Sequence, residues 1–112
     1  MAEVLRRGDF DAVCVFDADN CVPPEFLAVM NDALAAGHVA IQAYLDTKNP
    51  YDSWVTRSIA LAYLITNRFW LRARARLGLP ATLGGTGVCV ATTVLTRHRW
   101  DPGSVADDLD LT

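Results

Sequence analysis

Apolar runs and amphipathic stretches alternate along this chain, the pattern of strands interleaved with helices. The first run, Ala12-Val13-Cys14-Val15-Phe16, is continuously apolar, as in a strand buried on both faces of a mostly parallel sheet. Pro23-Pro24-Glu25 then opens a stretch in which Phe26, Leu27, Met30 and Leu34 recur at helical spacing, and Gly37 can end it. His38 to Leu45 mixes small and branched apolar residues and predicts a second strand, closed by the turn-rich Asp46-Thr47-Lys48-Asn49-Pro50. Strand, helix, strand is the basic parallel unit. From about Ser53 to Leu77 the pattern predicts one long helix, open to a kink, with Trp54, Ile59, Leu61, Tyr63, Leu64, Ile65, Phe69 and Trp70 among its apolar members. Gly78 and Pro80 stop it. Val88-Cys89-Val90-Ala91 follows as a third strand, and the chain's last residues read as the first turn of another helix. The fold class expected is therefore α/β, with a small, mostly parallel sheet flanked by helices.

Length and composition narrow this further. With 112 residues, 52% hydrophobic and 21% charged, the chain is globular and amounts to one domain, 1–112, with no internal repeat, linker or low-complexity tract. Ten basic against thirteen acidic residues leave a net charge of -3, which argues against nucleic acid as a partner. Cys14, Cys21 and Cys89 are odd in number and lack the paired spacing of zinc sites, so they read as reduced thiols. No stretch approaches the roughly twenty apolar residues of a membrane span, which predicts a soluble or peripheral segment.

Two acidic clusters carry the candidate chemistry. Asp17-Ala18-Asp19 ends the first strand, where an α/β sheet presents its ligand-binding edge, and a chain turning there can bring both carboxylates onto one divalent ion and its phosphate ligands. The alternative is a simple turn, which aspartate also favours. Asp107-Asp108-Leu109-Asp110 lies at the other end of the chain and can supply a base. Within it, Ser104 and Asp107 also fit a helix capping box, and Asp110 suits a first helical turn. Arg68, Arg72 and Arg76 form a basic stripe beside Phe69, Trp70 and Leu71. That stripe is either a solvated face complementing the helix dipole or a contact for anionic lipid headgroups or diphosphate. Gly84-Gly85-Thr86-Gly87 allows close approach of a ligand or a neighbouring strand, or a plain tight turn.

In this order, Val15-Phe16-Asp17-Ala18-Asp19-Asn20, Gly85-Thr86-Gly87, Trp100-Asp101-Pro102 and Ala106-Asp107-Asp108-Leu109-Asp110-Leu111 resemble the motifs of family 2 glycosyltransferases, of the cellulose and hyaluronan synthase kind. The resemblance implies a partial GT-A, Rossmann-like catalytic domain that transfers a sugar, with inversion, from a nucleotide-diphosphate sugar to an acceptor hydroxyl. It implies Asp19 and Asp17 as ligands of Mg2+ or Mn2+ and of the donor diphosphate, and Asp108 as the catalytic base. It assigns Gly85, Thr86, Gly87, Trp100 and Asp107 to the acceptor, with Trp100 either stacking on a sugar or filling the core. The partners implied are a UDP-sugar donor, a saccharide or lipid-linked acceptor and a membrane surface, at the cytoplasm or the cytoplasmic face of a membrane. The family's Thr-Glu-Asp stands here as Ala106-Asp107-Asp108, which puts the fine placement of the base in question. Against that family pattern, the N-terminal nucleotide-binding half and the C-terminal part are expected to be absent.

Two other readings remain open. Val15-Phe16-Asp17-Ala18-Asp19 also resembles the nucleophile strand of haloacid dehalogenase phosphatases, with Asp17 forming an aspartyl-phosphate and Asp19 acting as acid. That family expects a threonine where Cys21 stands and a later lysine, whereas Lys48 is the only lysine here. The third reading is a catalytically inert fragment or interaction module.

Overall fold

All three apolar runs become strands, and the direction of the last one reorganises the sheet. The computed structural model describes residues 8–79 and 82–97. Along the chain lie β1 (Ala12–Val15), α1 (Phe26–Ala35), β2 (Ala40–Gln42), α2 (Trp54–Ile65), a π-helical segment (Thr66–Leu71), α3 (Arg72–Arg76), β3 (Val88–Ala91) and α4 (Thr92–Arg97). The sheet order is β1-β3-β2, and β3 is antiparallel to both neighbours. The mostly parallel sheet expected from the sequence is thus corrected to a three-stranded antiparallel one. β1 and β2 still point the same way, as a strand-helix-strand unit demands, but β3 enters between them in the opposite sense. An apolar run reports burial on both faces, which a central antiparallel strand shares with a parallel one.

Alternation along β3 divides the core into two layers. Val88 and Val90 pack with Leu83 and Leu95 on one face, supported by Val13 and Val94. Cys89 points to the other face, against Phe26 and Met30 of α1 and the flanking Cys14, Phe16, Leu34 and Ile41. Phe26 also meets Phe16 edge to face, with ring centroids 4.9 Å apart. Burying such an aromatic side chain stabilises a fold by about 2–3 kcal/mol. The α1 face was legible in Phe26 and Met30, whereas Leu27 points to solvent at 69% exposure.

Helix ends follow local rules. After α1, Gly37 (φ 94°) donates to Leu34 O and His38 donates to Ala33 O, the paired bonds of a Schellman ending. Gly78 (φ 65°) ends α3 in the same way, with Leu79 donating to Arg74 O.

The described residues form two compact units, one of residues 8–43 and 83–97 and one of residues 44–79 and 82. The second unit is built on the helical stretch. Ser53 caps α2 by accepting from Thr56 N at 3.1 Å, while Thr56 Oγ1 accepts from Ser53 N at 3.0 Å, closing a capping box. The single long helix of the sequence reading widens to π geometry at Thr66–Leu71. There Asn67 Nδ2 donates to the carbonyl of Tyr63, four residues back, at 2.8 Å, and to Leu45 O at 2.7 Å. A side-chain donor inserted into the helical ladder is a physical cause of such a widened turn. Neither α2, the π segment nor α3 contains a buried residue. Arg68, Arg72 and Arg76 are exposed, while Arg74 is half-buried with its guanidinium 5.6 Å from the Trp70 ring centre. Among the described residues no helix is long and apolar enough to cross a membrane.

Candidate functional site

Where β1 ends, the chain turns at once. Asn20 N donates to Asp17 O at 3.1 Å, so Asp17, Ala18, Asp19 and Asn20 make one turn with both carboxylates exposed to solvent. This turn lies beside the glycine-rich loop that leads into β3, because of how that loop joins the ladder. Val15 is paired with Val88, yet Gly87 N also donates to Val15 O at 2.9 Å, so Gly87 and Val88 both face Val15. With Gly87 at φ 65°, this is a bulge that only a residue without a Cβ adopts readily. The bulge ends pairing and directs Thr86 towards the turn. Thr86 Oγ1 accepts from Asp17 N at 3.0 Å and from Asn20 Nδ2.

Gln42, at the end of β2, holds the same loop from the other side. Its Oε1 accepts from Gly84 N at 2.6 Å and its Nε2 donates to Thr86 O at 3.0 Å. Ala43 N completes the junction by donating to Gly87 O at 2.8 Å.

The structure thus gathers Asp17, Asp19, Gly85, Thr86 and Gly87, five of the residues singled out in the sequence, at one end of the sheet. Trp100, Asp107 and Asp108, like Asp101, Ser104 and Asp110, lie outside the described residues. Sequence reasoning passed over Gln42 and gave Asn20 no role of its own. The available signal was a polar amide inside the apolar run Ile41-Gln42-Ala43, since a half-buried amide requires partners.

No group of three or more His, Cys, Asp or Glu gathers around a common point among the described residues. Two exposed carboxylates on one turn are instead a donor set suited to a hard divalent cation whose other ligands are phosphate oxygens and water, the usual manner of Mg2+. Behind the turn, Cys89 stands opposite Cys14 across the β1–β3 pair. Burial pushes the Cys89 thiol up to about 12, and the hydrogen bond with Cys14 and its charge push the same way. At neutral pH Cys89 is therefore a protonated side chain of the core.

No curated protein and no solved structure matches the chain. The family model described as glycosyltransferase like family 2 matches residues 1–112, the whole sequence, and the chain therefore belongs to that family.

Proposed function

We propose that this chain forms the donor-diphosphate and acceptor side of a metal-dependent, inverting glycosyltransferase with a partial GT-A fold. Asp19, with Asp17 beside it, holds Mg2+ or Mn2+ against the diphosphate of a nucleotide sugar, with UDP-sugar as the expected donor. The ion's chemistry is neutralisation of the charge that develops on the departing diphosphate. Asp108 takes the proton from the acceptor hydroxyl as it attacks the anomeric carbon, so the new bond forms on the face opposite the leaving group. Gly85, Thr86, Gly87, Trp100 and Asp107 belong to the acceptor side in this reading.

The observation that carries it is the junction at Thr86. A single hydroxyl ties the Asp17–Asn20 turn to the Gly85–Gly87 loop across 69 positions of sequence, so the motif read as donor-binding and the motif read as acceptor-binding stand within hydrogen-bonding distance. The acceptor is a saccharide or lipid-linked hydroxyl, which would make the protein a builder of polysaccharide at the cytoplasmic face of a membrane. Exposed Arg68, Arg72 and Arg76 beside exposed Phe69 and Trp70 support contact with such a surface. Failure to bind anionic vesicles would remove that part of the reading.

The central test is titration with UDP, with and without Mg2+, followed by amide NMR shifts and repeated on Asp19→Asn. Mg2+-dependent shifts around Asp17 to Asn20 that vanish in the variant are expected. Release of phosphate from a small ester, lost in Asp17→Asn, would instead favour the phosphatase chemistry, and neither response would leave an inert module.

A further inference from the structure

The loop that carries Thr86 is held in an unusual way. Gly84, Gly85 and Gly87 surround the threonine, so its neighbours bring no side chains to pack and the greatest backbone freedom of any residue. A Cβ built on Gly85 would meet nothing within 4 Å, and one built on Gly84 would meet only the Gln42 amide, at 3.5 Å. The shape of the loop therefore rests on hydrogen bonds. Gln42 supplies them from one side, gripping Gly84 N with its oxygen at 2.6 Å and Thr86 O with its nitrogen at 3.0 Å. Its nitrogen also lies 3.2 Å from Ala43 O and 3.4 Å from Gly87 O. On the far side, the Thr86 hydroxyl receives Asp17 N and Asn20 Nδ2. A hydroxyl oxygen offers two acceptor sites, and the two donors fill both.

We propose that Gln42 and Thr86 are positioning residues for the aspartate turn. Gln42 sets the Gly84–Gly87 loop, and the hydroxyl held by that loop sets the turn on which Asp17 and Asp19 stand. Gln42 makes no hydrogen bond to either aspartate among the described residues, so it acts through Thr86. What the turn binds rests on the glycosyltransferase reading above; how the turn is held does not.

The test uses the 112-residue chain and the variants Gln42→Leu, Gln42→Glu, Thr86→Val and Thr86→Ser, with two readouts. The first is hydrogen exchange at the Asp17 amide in the free protein. Gln42→Leu and Thr86→Val are each expected to speed it about five- to tenfold, the worth of one lost hydrogen bond, with the sheet amides unchanged. Thr86→Ser keeps the hydroxyl and should return exchange to within about twofold of wild type. Gln42→Glu keeps the acceptor for Gly84 N but loses the donor to Thr86 O, and should fall between. The second readout is affinity for UDP in the presence of Mg2+, which should weaken in the same order. Unchanged Asp17 exchange in folded Gln42→Leu would overturn the proposal. So would a folded Thr86→Val variant that exchanges at the wild-type rate, since valine keeps the bulk of threonine and lacks only the hydroxyl. Should Gln42→Leu fail to fold, Gln42→Glu and the Thr86 pair decide the matter. Should wild type not bind UDP with Mg2+, the functional reading fails, while the exchange measurement still tests how the turn is positioned.

Discussion

The sheet unit and the helical unit are both rich in apolar residues and use them differently. In the sheet unit all four residues of β3 are buried, and α1 closes one face with Phe26 and Met30. In the helical unit, Trp54, Phe69, Trp70 and Leu77 all stay exposed, and no residue of α2 or α3 is buried. One unit spends its apolar residues on a rigid frame that aims a polar turn. The other leaves Trp54, Phe69, Trp70 and the arginines Arg68, Arg72 and Arg76 exposed, where they add little to its own core. The difference teaches that hydrophobic content alone says little about where a core forms. A strand gains burial on two faces, while a lone helix needs a partner for even one.

The sharpest way to break this comparison is by truncation. Phe26→Ala should cost about 3–4 kcal/mol in urea denaturation, whereas Phe69→Ala should change stability by no more than about 0.5 kcal/mol. Equal losses would mean that the helical unit has a core after all. Next in size is Asp19→Asn, which should weaken Mg2+-dependent UDP binding at least tenfold, about 1.4 kcal/mol, without altering the melting temperature. The same substitution in a frame-building residue would lower both. Ser53→Ala should then remove about 1 kcal/mol by opening the capping box of α2, read as reduced helicity and faster exchange at Thr56, while sheet amides stay protected. Loss of sheet protection would show that the two units unfold together.

The smallest effect near neutral pH concerns Cys89. Its thiol has an ordinary value of 9.0 and is pushed up to about 12 in the fold, so this group leaves stability unchanged below about pH 9. Between 9 and 12 the unfolded chain gives up a proton that the folded one retains, and stability falls as pH rises. Cys89→Val should flatten that part of the profile. Alkylation at pH 8 should mark exposed Cys21 first and Cys89 only on unfolding.

Much of the frame was legible residue by residue. Ala12–Val15, Phe26–Ala35 and Val88–Ala91 stand where the apolar runs and helical spacing put them, and Gly37 and Gly78 end helices as glycine does. The second strand shrank from the run His38 to Leu45 to Ala40–Gln42, because pairing with β3 and not composition sets strand length. The long helix acquired a π segment at Asn67, whose side chain reaches a carbonyl at Leu45, 22 residues earlier. No helical periodicity carries that bond. Of the candidate site, Asp17 and Asp19 announced themselves by chemistry and position, while Gln42 was hidden by its apolar neighbours.

What the sequence by itself determined is local: where strands and helices begin, which residues are apolar enough to be buried, and that two carboxylates stand at a strand end. Those properties depend on neighbours a few positions apart, and period and turn chemistry encode them directly. What only the tertiary structure decided is the antiparallel insertion of β3 between β1 and β2, and through it the meeting of Gln42, Thr86 and Asp17. Strand direction and long-range hydrogen bonds arise from how two-sided burial is satisfied across the whole sheet, and an apolar run looks the same whichever way its strand points.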